Sequence, residues 1–237
     1  MCSRYTLTKE DKEIAAAYNA KLENPFQPKK HIAITDTSLV IAADKPDLLQ
    51  PMHFSIVPYY AKTKNELIKY SLFNTRSEDI YDSKTFRPLL VKNKTCLIPA
   101  DAFIEWHTVG KAKDPYRIFV KDRSIFSFAG LYSRWIDPLT KESYFSFSIM
   151  TTNANQPVAA IHNYVQGKPV TPDKARMPVI LEKKDEHLWL SSDIAPAEKL
   201  TLCKPYHDDL MDAIHVSSNM NIVKTESGEW ALPQNSI

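Results

Sequence analysis

Three stretches, Tyr116-Arg-Ile-Phe-Val120, Ile125-Phe-Ser-Phe-Ala-Gly-Leu131 and Tyr144-Phe-Ser-Phe-Ser-Ile-Met-Thr151, carry the reading of the fold. They are rich in aromatic and β-branched residues, the types that suit a pleated, half-buried surface. Turn-forming residues bound them: Lys121-Asp-Arg-Ser124 follows the first, and Asp137-Pro138 lies between the second and third. The spacing predicts an antiparallel meander. Working outward, Ala102 to His107 alternates apolar and polar as a half-buried strand does, and Thr95 to Ile98 is apolar and β-prone. Residues 1–8, 38–43, His53 to Val57 and Met177 to Leu181 read as further strands. Helical spacing is confined to short pieces. Lys9 to Tyr18 is one, with Thr8 as its expected N-cap. A second opens at Ser77 to Ile80 and ends near Phe86-Arg87; Asp185 to Leu190 and residues 193–200 supply two more. Lys64 to Tyr70 reads as a short helix or turn, and residues 163–175, with two Pro and a Gly, as a loop. The sum is an α+β fold: one domain over 1–225, largely antiparallel β-sheets with a barrel-like core and a few short peripheral helices, then a tail over 226–237.

Composition excludes several functions. Only 4 of 237 residues are Gly, where ordinary usage gives about 7%. No G-x-G-x-x-G, G-x-x-x-x-G-K-[ST] or G-x-S-x-G exists, so no dinucleotide fingerprint, P-loop or nucleophile elbow is present. No apolar run approaches the roughly 18 residues of a membrane helix, and the N-terminus lacks the apolar core of a signal peptide. A cytoplasmic protein without membrane association is expected. The three cysteines, Cys2, Cys96 and Cys203, have neither disulfide-framework nor zinc spacing. No metal or cofactor is expected. Cys96 and Cys203 stand in apolar runs and read as small buried hydrophobes. A net charge of +2 does not announce a nucleic-acid binder, although net charge says nothing of local distribution.

Cys2 differs because of its position. Once Met1 is removed it is a 1,2-aminothiol, its amine titrating near 8 and its thiol near 8.5. Such a pair condenses with an aldehyde, or attacks an amide as an N-terminal nucleophile. Glu105, between Ile104 and Trp106, is either solvent-facing by alternation or partly buried and tuned for acid/base work. Trp106 is either a core residue or a base-stacking platform. In Asn74-Thr-Arg-Ser-Glu78, Asn74 is a helix cap or a ligand-holding residue, and Arg76 a phosphate grip. His162, ahead of the polar loop, can move protons near neutrality. Arg4 and Arg176 flank Cys2 and the loop after His162, and Arg is the better planar phosphate ligand.

The order of these pieces is more telling than any one of them. Met1-Cys-Ser-Arg-Tyr5, Phe54-Ser-Ile-Val-Pro58, Asn74-Thr-Arg-Ser-Glu78, Cys96-Leu-Ile-Pro-Ala-Asp-Ala-Phe-Ile-Glu-Trp106, Phe128-Ala-Gly-Leu-Tyr132 with Trp135, Thr151-Thr-Asn-Ala-Asn155, Ile161-His162 and Arg176-Met-Pro-Val-Ile-Leu181 follow one another along the chain. Together they resemble the SOS response-associated peptidase family, and Ile214-His-Val-Ser-Ser-Asn219 adds a weaker match. The resemblance implies a protein that crosslinks abasic sites in single-stranded DNA, monomeric and acting at damaged DNA in the bacterial nucleoid. It implies Cys2 as the nucleophile, which also removes Met1 by autoproteolysis; Asn74 to hold the N-terminal residue and sugar; Glu105 as acid/base; and His162 to move protons. Arg4, Arg76 and Arg176 would contact phosphates, and Trp106 would pack near bases. An N-terminal-nucleophile amidase and a non-catalytic single-strand binder are the alternatives. The family usually has Gly where Ser3, Ser55 and Ala102 stand here, and ordinary negative φ is expected at all three.

Overall fold

Two of the three aromatic runs build the wall of a closed barrel. The structure, a computed structural model, describes residues 3–66, 70–165 and 167–216. In chain order the first half contains β1 (Arg4–Leu7), α1 (Asp11–Tyr18), β2 (Lys21–Leu22), β3 (Lys29–Ala33), β4 (Thr37–Ala42), β5 (Leu48–Phe54), β6 (Asn74–Arg76), α2 (Phe86–Val91), β7 (Thr95–Ala100) and β8 (Ala102–Val109). The second half contains β9 (Ala112–Val120), β10 (Phe126–Ile136), β11 (Ser143–Asn153), α3 (Gln156–Ile161), β12 (Tyr164–Val165), β13 (Lys168–Pro169), β14 (Arg176–Pro178), β15 (Ile180–Leu181), α4 (Glu186–Leu190), α5 (Pro196–Leu200) and β16 (Met211–His215). The tail expected over 226–237 lies outside the described residues.

Strands β11, β10, β7, β4 and β5 lie side by side, and β5 returns to pair with β11. That closes a five-stranded ring. Four of its pairings are antiparallel and the β5–β11 pairing is parallel, with Phe147 opposite Phe54. A ring with an odd number of strands cannot alternate direction throughout, so one parallel pair is required. Inside, Phe54 and Phe147 stack with ring centroids 5.1 Å apart, and Tyr5 meets Phe54 and Phe128 edge-on. Such pairs add about 0.5–1.5 kcal/mol each beyond the area they bury. Gly130 on β10 belongs to this packing: a Cβ there would come 2.5 Å from Ile98 Cδ1 and 3.0 Å from the Ser148 carbonyl oxygen.

A second sheet, in the order β16-β9-β8-β1-β3, is joined to the barrel at Asp101, the single residue between β7 and β8. Its carboxylate is buried, yet it is fully employed. It accepts from the Thr6 hydroxyl, from the Thr8 backbone N–H at 2.5 Å and hydroxyl at 2.6 Å, and from Arg117 at 3.3 Å. These bonds offset the cost of burying a charge and fix β1 as an interior strand between β3 and β8.

The antiparallel, barrel-centred α+β reading holds, with local corrections. β9 pairs with β8 and β16 rather than with β10, so Lys121-Asp-Arg-Ser124 carries the chain between sheets and the three aromatic runs do not form one meander. Helix α1 begins later than expected: its cap is Glu10, whose N–H donates to the Glu13 carboxylate at 3.4 Å, while Thr8 is committed to Asp101. Ser77 to Ile80 opens no α-helix; only a 3-10 turn over Ile80–Asp82 follows, and α2 starts at Phe86, where the helix was expected to end. Within the stretch 163–175, read as a loop, lie the β12–β13 hairpin and a 3-10 turn. Ser55 has φ 97, against the expected negative value, whereas Ala102 is not among the positive-φ residues.

Candidate functional site

The register of β1 on β8 decides where the N-terminal residues go. Tyr5 lies opposite Phe103 and Thr6 opposite Ala102. Continued by two residues, the same antiparallel register sets Ser3 against Glu105. Both line one cleft of about 470 Å3, whose walls also include Arg4, Phe73, Trp106, Thr108, Lys113 and Tyr164. Cys2, bonded to Ser3, lies outside the described residues.

Glu105 is 3% exposed. The sequence left open whether it faced water; the structure buries it at the cleft wall. Trp106 is half-buried and also faces the cleft, so it is not a core residue. The Arg4 guanidinium lies 5.2 Å from the centroid of its ring, a cation–π contact. Partial burial holds Arg4 below its ordinary pKa, although a guanidinium stays charged at any working pH. Burial also lowers the pKa of His31 on the neighbouring β3, and the Arg4 charge adds to the effect. Nothing in the sequence singled out His31, because only the β1–β3 pairing brings it near Arg4.

Asn74 begins β6 and is half-buried. It is a strand residue, not a helix cap: β6 runs parallel to β11, with Asn74 opposite Ile149 and Arg76 opposite Thr151. Its neighbour Phe73 reaches the cleft. Arg76 projects outward with its side chain 54% exposed, and pairs with Asp79 at 3.2 Å. A surface pair of this kind contributes little and is easily exchanged.

His162 ends α3 and is 1% exposed. Its Nδ1 lies 2.7 Å from the Arg176 carbonyl oxygen. A carbonyl can only accept, so in this contact Nδ1 donates. The Arg176 N–H, 3.2 Å from the same nitrogen, donates to it in the other tautomer.

The Arg176 side chain does not face a groove. It is buried and holds the Glu78 carboxylate through both terminal nitrogens, with additional bonds to Asn153 Oδ1 at 2.7 Å and the Thr151 carbonyl at 2.9 Å. Burial works most strongly against the Glu78 charge, but Arg176, the Glu78 backbone N–H and Ser77 together outweigh it and keep the carboxyl below its usual range. One residue therefore ties Glu78, just after β6, to β11 with its side chain and His162 with its backbone.

Asn163 was missed. Its side chain accepts from the Thr108 N–H at 2.8 Å and donates to the Thr108 carbonyl at 2.9 Å. This two-pronged clamp pins the segment after His162 to β8, beside Trp106. Asn155 caps α3, accepting from the Val158 N–H at 3.2 Å. Asn is a common cap and turn residue, which is why neither stood out.

A family profile described as SOS response associated peptidase (SRAP) matches residues 1–223. The chain belongs to the SRAP family. Among SRAP relatives, the abasic site processing proteins YoqW and YoaM of Bacillus subtilis are each 34% identical, over 97% of this chain and 98% and 96% of theirs. The abasic site processing protein HMCES of Gallus gallus is 25% identical over 78% of this chain and 57% of its own. A crystal structure of a Bacteroides thetaiotaomicron protein superposes with a TM-score of 0.82 at 28% identity, covering 92% of this chain and 93% of that one. Within the SRAP chain the structure thus gathers Arg4, Glu105 and Trp106 with Ser3 in one cleft, joins His162 to Arg176 behind the Asn163 clamp, and leaves Arg76 outside. The two cysteines read as core, Cys96 and Cys203, are buried and free, and burial raises the Cys203 thiol to about 12. Among the described residues, no group of three or more His, Cys, Asp or Glu is placed to hold a metal, and no helix is long and apolar enough to cross a membrane.

Proposed function

We propose that this protein processes abasic sites in DNA by joining Cys2, freed of Met1, to the lesion's aldehyde in a single strand. The observation that carries the reading is the placement of Ser3 in the same cleft as the buried Glu105. Ser3 is the residue bonded to Cys2, and Glu105 supplies the cleft's carboxyl group. The names of the curated relatives support it.

The chemistry proceeds in three stages. Glu105 protonates the ring oxygen of the closed deoxyribose, the C1′–O4′ bond breaks, and the C1′ hydroxyl gives its proton to water, which frees the aldehyde. The Cys2 amine adds to C1′ and water leaves, giving an imine; Nε2 of His162 accepts and returns the protons. The Cys2 thiol then adds to the imine carbon while its proton passes to the nitrogen, closing a thiazolidine. Asn74 holds the N-terminal residue and sugar, Arg4 and Arg76 contact phosphates, and Trp106 offers its face to a base. Arg176 is assigned a positioning role, because its guanidinium is already spent on Glu78 and Thr151. Removal of Met1 uses the same groups: the thiol adds to the Met1 carbonyl, the peptide bond breaks as its nitrogen is protonated, and water hydrolyses the thioester.

The test is incubation with a single-stranded oligonucleotide carrying one abasic site. A band shift that survives denaturant, lost in Cys2→Ala and slowed about 10²-fold in Glu105→Gln, is expected. The absence of any adduct at every pH from about 5 to 8, the range around the amine's ordinary value, would overturn the proposal.

A further inference from the structure

We infer that the β12–β13 hairpin and Lys113 form a binding site for the nucleotide next to the abasic residue, with Tyr164 stacking on its base and Lys113 contacting its phosphate. The inference rests on the reading of the cleft as a DNA site and says how that site selects its flank. In the β8–β9 register Thr108 lies opposite Lys113, and directly opposed residues project from the same face of a sheet. Both line the cleft that holds Glu105. Tyr164 lines the same cleft, and its position is fixed. The preceding residue, Asn163, grips both backbone groups of Thr108. The hairpin is closed by Tyr164 opposite Pro169 and by the Val170 N–H donating to the Asn163 carbonyl at 2.8 Å.

The chemistry of this wall is that of a single-strand subsite. It offers a half-buried tyrosine and an exposed lysine lining one cleft. Arg4 and Trp106 form a second ring-and-cation pair in the same cleft. An abasic residue has no base of its own to stack, so recognition falls to its neighbours. Two ring-and-cation pairs in the cleft that also holds Glu105 suit a strand whose neighbouring bases are present beside a gap.

Three oligonucleotides test the inference: one with the abasic residue internal, one with it at the 5′ end and one with it at the 3′ end. Each is also made with a tetrahydrofuran residue that cannot crosslink, and binding is followed by fluorescence anisotropy. Tyr164→Ala is expected to weaken binding of the internal site about tenfold, within the range for loss of one base–aromatic stack, and Tyr164→Phe to retain it. Lys113→Gln is expected to lower the slope of log affinity against log salt by about 0.7. For one of the two terminal oligonucleotides, the one that lacks this neighbour, both variants should bind like the parent protein. Unchanged binding of all three tetrahydrofuran oligonucleotides in both variants, or equal losses on all three, would overturn the inference. Because anisotropy needs no covalent step, a protein that never crosslinks but shows the flank-dependent losses would refute the crosslinking reading and keep this one.

Discussion

Ser55 occupies a backbone conformation that L side chains rarely adopt, φ 97, and its buried hydroxyl has no hydrogen-bond partner among the described residues. Both features cost energy. Ser55→Gly removes both and is expected to stabilise the protein by about 1 kcal/mol, or about 2–4 °C in Tm for a chain of this size; Ser55→Ala, which keeps the backbone problem, should gain less. Thermal unfolding of the two variants decides, and a Tm that falls in Ser55→Gly would show that the serine is held by something else. Sequence gave no access to this residue's φ, because neighbouring strands impose it: the Ser55 N–H donates to the Phe147 carbonyl across the barrel's parallel seam. Arg176 is the same lesson in side-chain form. A guanidinium fork fits a phosphate and a carboxylate equally, so the residue type could not say that Glu78 would be its partner. That pair has a pH signature. The Glu78 carboxyl is depressed in the folded protein, so its contribution is present above the unfolded value of 4.5 and fades as pH falls through the folded value. Glu78→Gln should therefore lower stability near neutrality by about 1–2 kcal/mol, less than for a fully buried pair because the carboxylate is partly in water. The loss should shrink as pH falls below 4.5. Denaturant titrations at several pH values would show a pH-independent difference if Glu78 is not the titrating partner.

Elements were legible where side-chain pattern alone decides them. The runs around Phe126–Ile136 and Ser143–Asn153 became β10 and β11, and Ala102–Val109 became β8, because aromatic and alternating residues suit only a sheet face there. Partners were less legible. Lys121-Asp-Arg-Ser124 has hairpin composition, yet β9 leaves it for one sheet and β10 for the other, a choice made by which apolar faces must meet. Helix α2 starts where an end is expected because Pro88 sits in its first turn, where a missing N–H costs nothing. The site depends on one short connection more than on any helix. Asn163→Ala removes both bonds to Thr108. It is expected to cost about 1–2 kcal/mol, to raise hydrogen exchange at the Thr108 amide, and to slow crosslinking while Asn163→Asp, which keeps the acceptor, loses less. Exchange at Thr108 unchanged in Asn163→Ala would separate the clamp from the site.

At the level of the whole molecule, a five-stranded barrel is linked to the second sheet most tightly at the single residue Asp101, and the barrel's strands were visible in the sequence where the seam that closes it was not. Gly130 tests the packing on which that ring depends. Gly130→Ala forces a methyl group against Ile98, Cys96 and the Ser148 backbone and should cost about 1–3 kcal/mol. Gly130 lies on β10 away from the cleft, so crosslinking per folded molecule should be unchanged; a stable Gly130→Ala protein would mean the barrel has slack. The burial of β1 between β3 and β8 has a practical side. Asp101 anchors the strand from behind at Thr6 and Thr8, and its forward end emerges beside Glu105 and Trp106. Any extension placed ahead of Ser3, such as an affinity tag or a fused reporter, would start at the wall of the cleft and is expected to hinder access to it. A purification handle belongs at the other end of the chain, and a tagged preparation that reacts only after its leader is cut away is the behaviour this geometry anticipates.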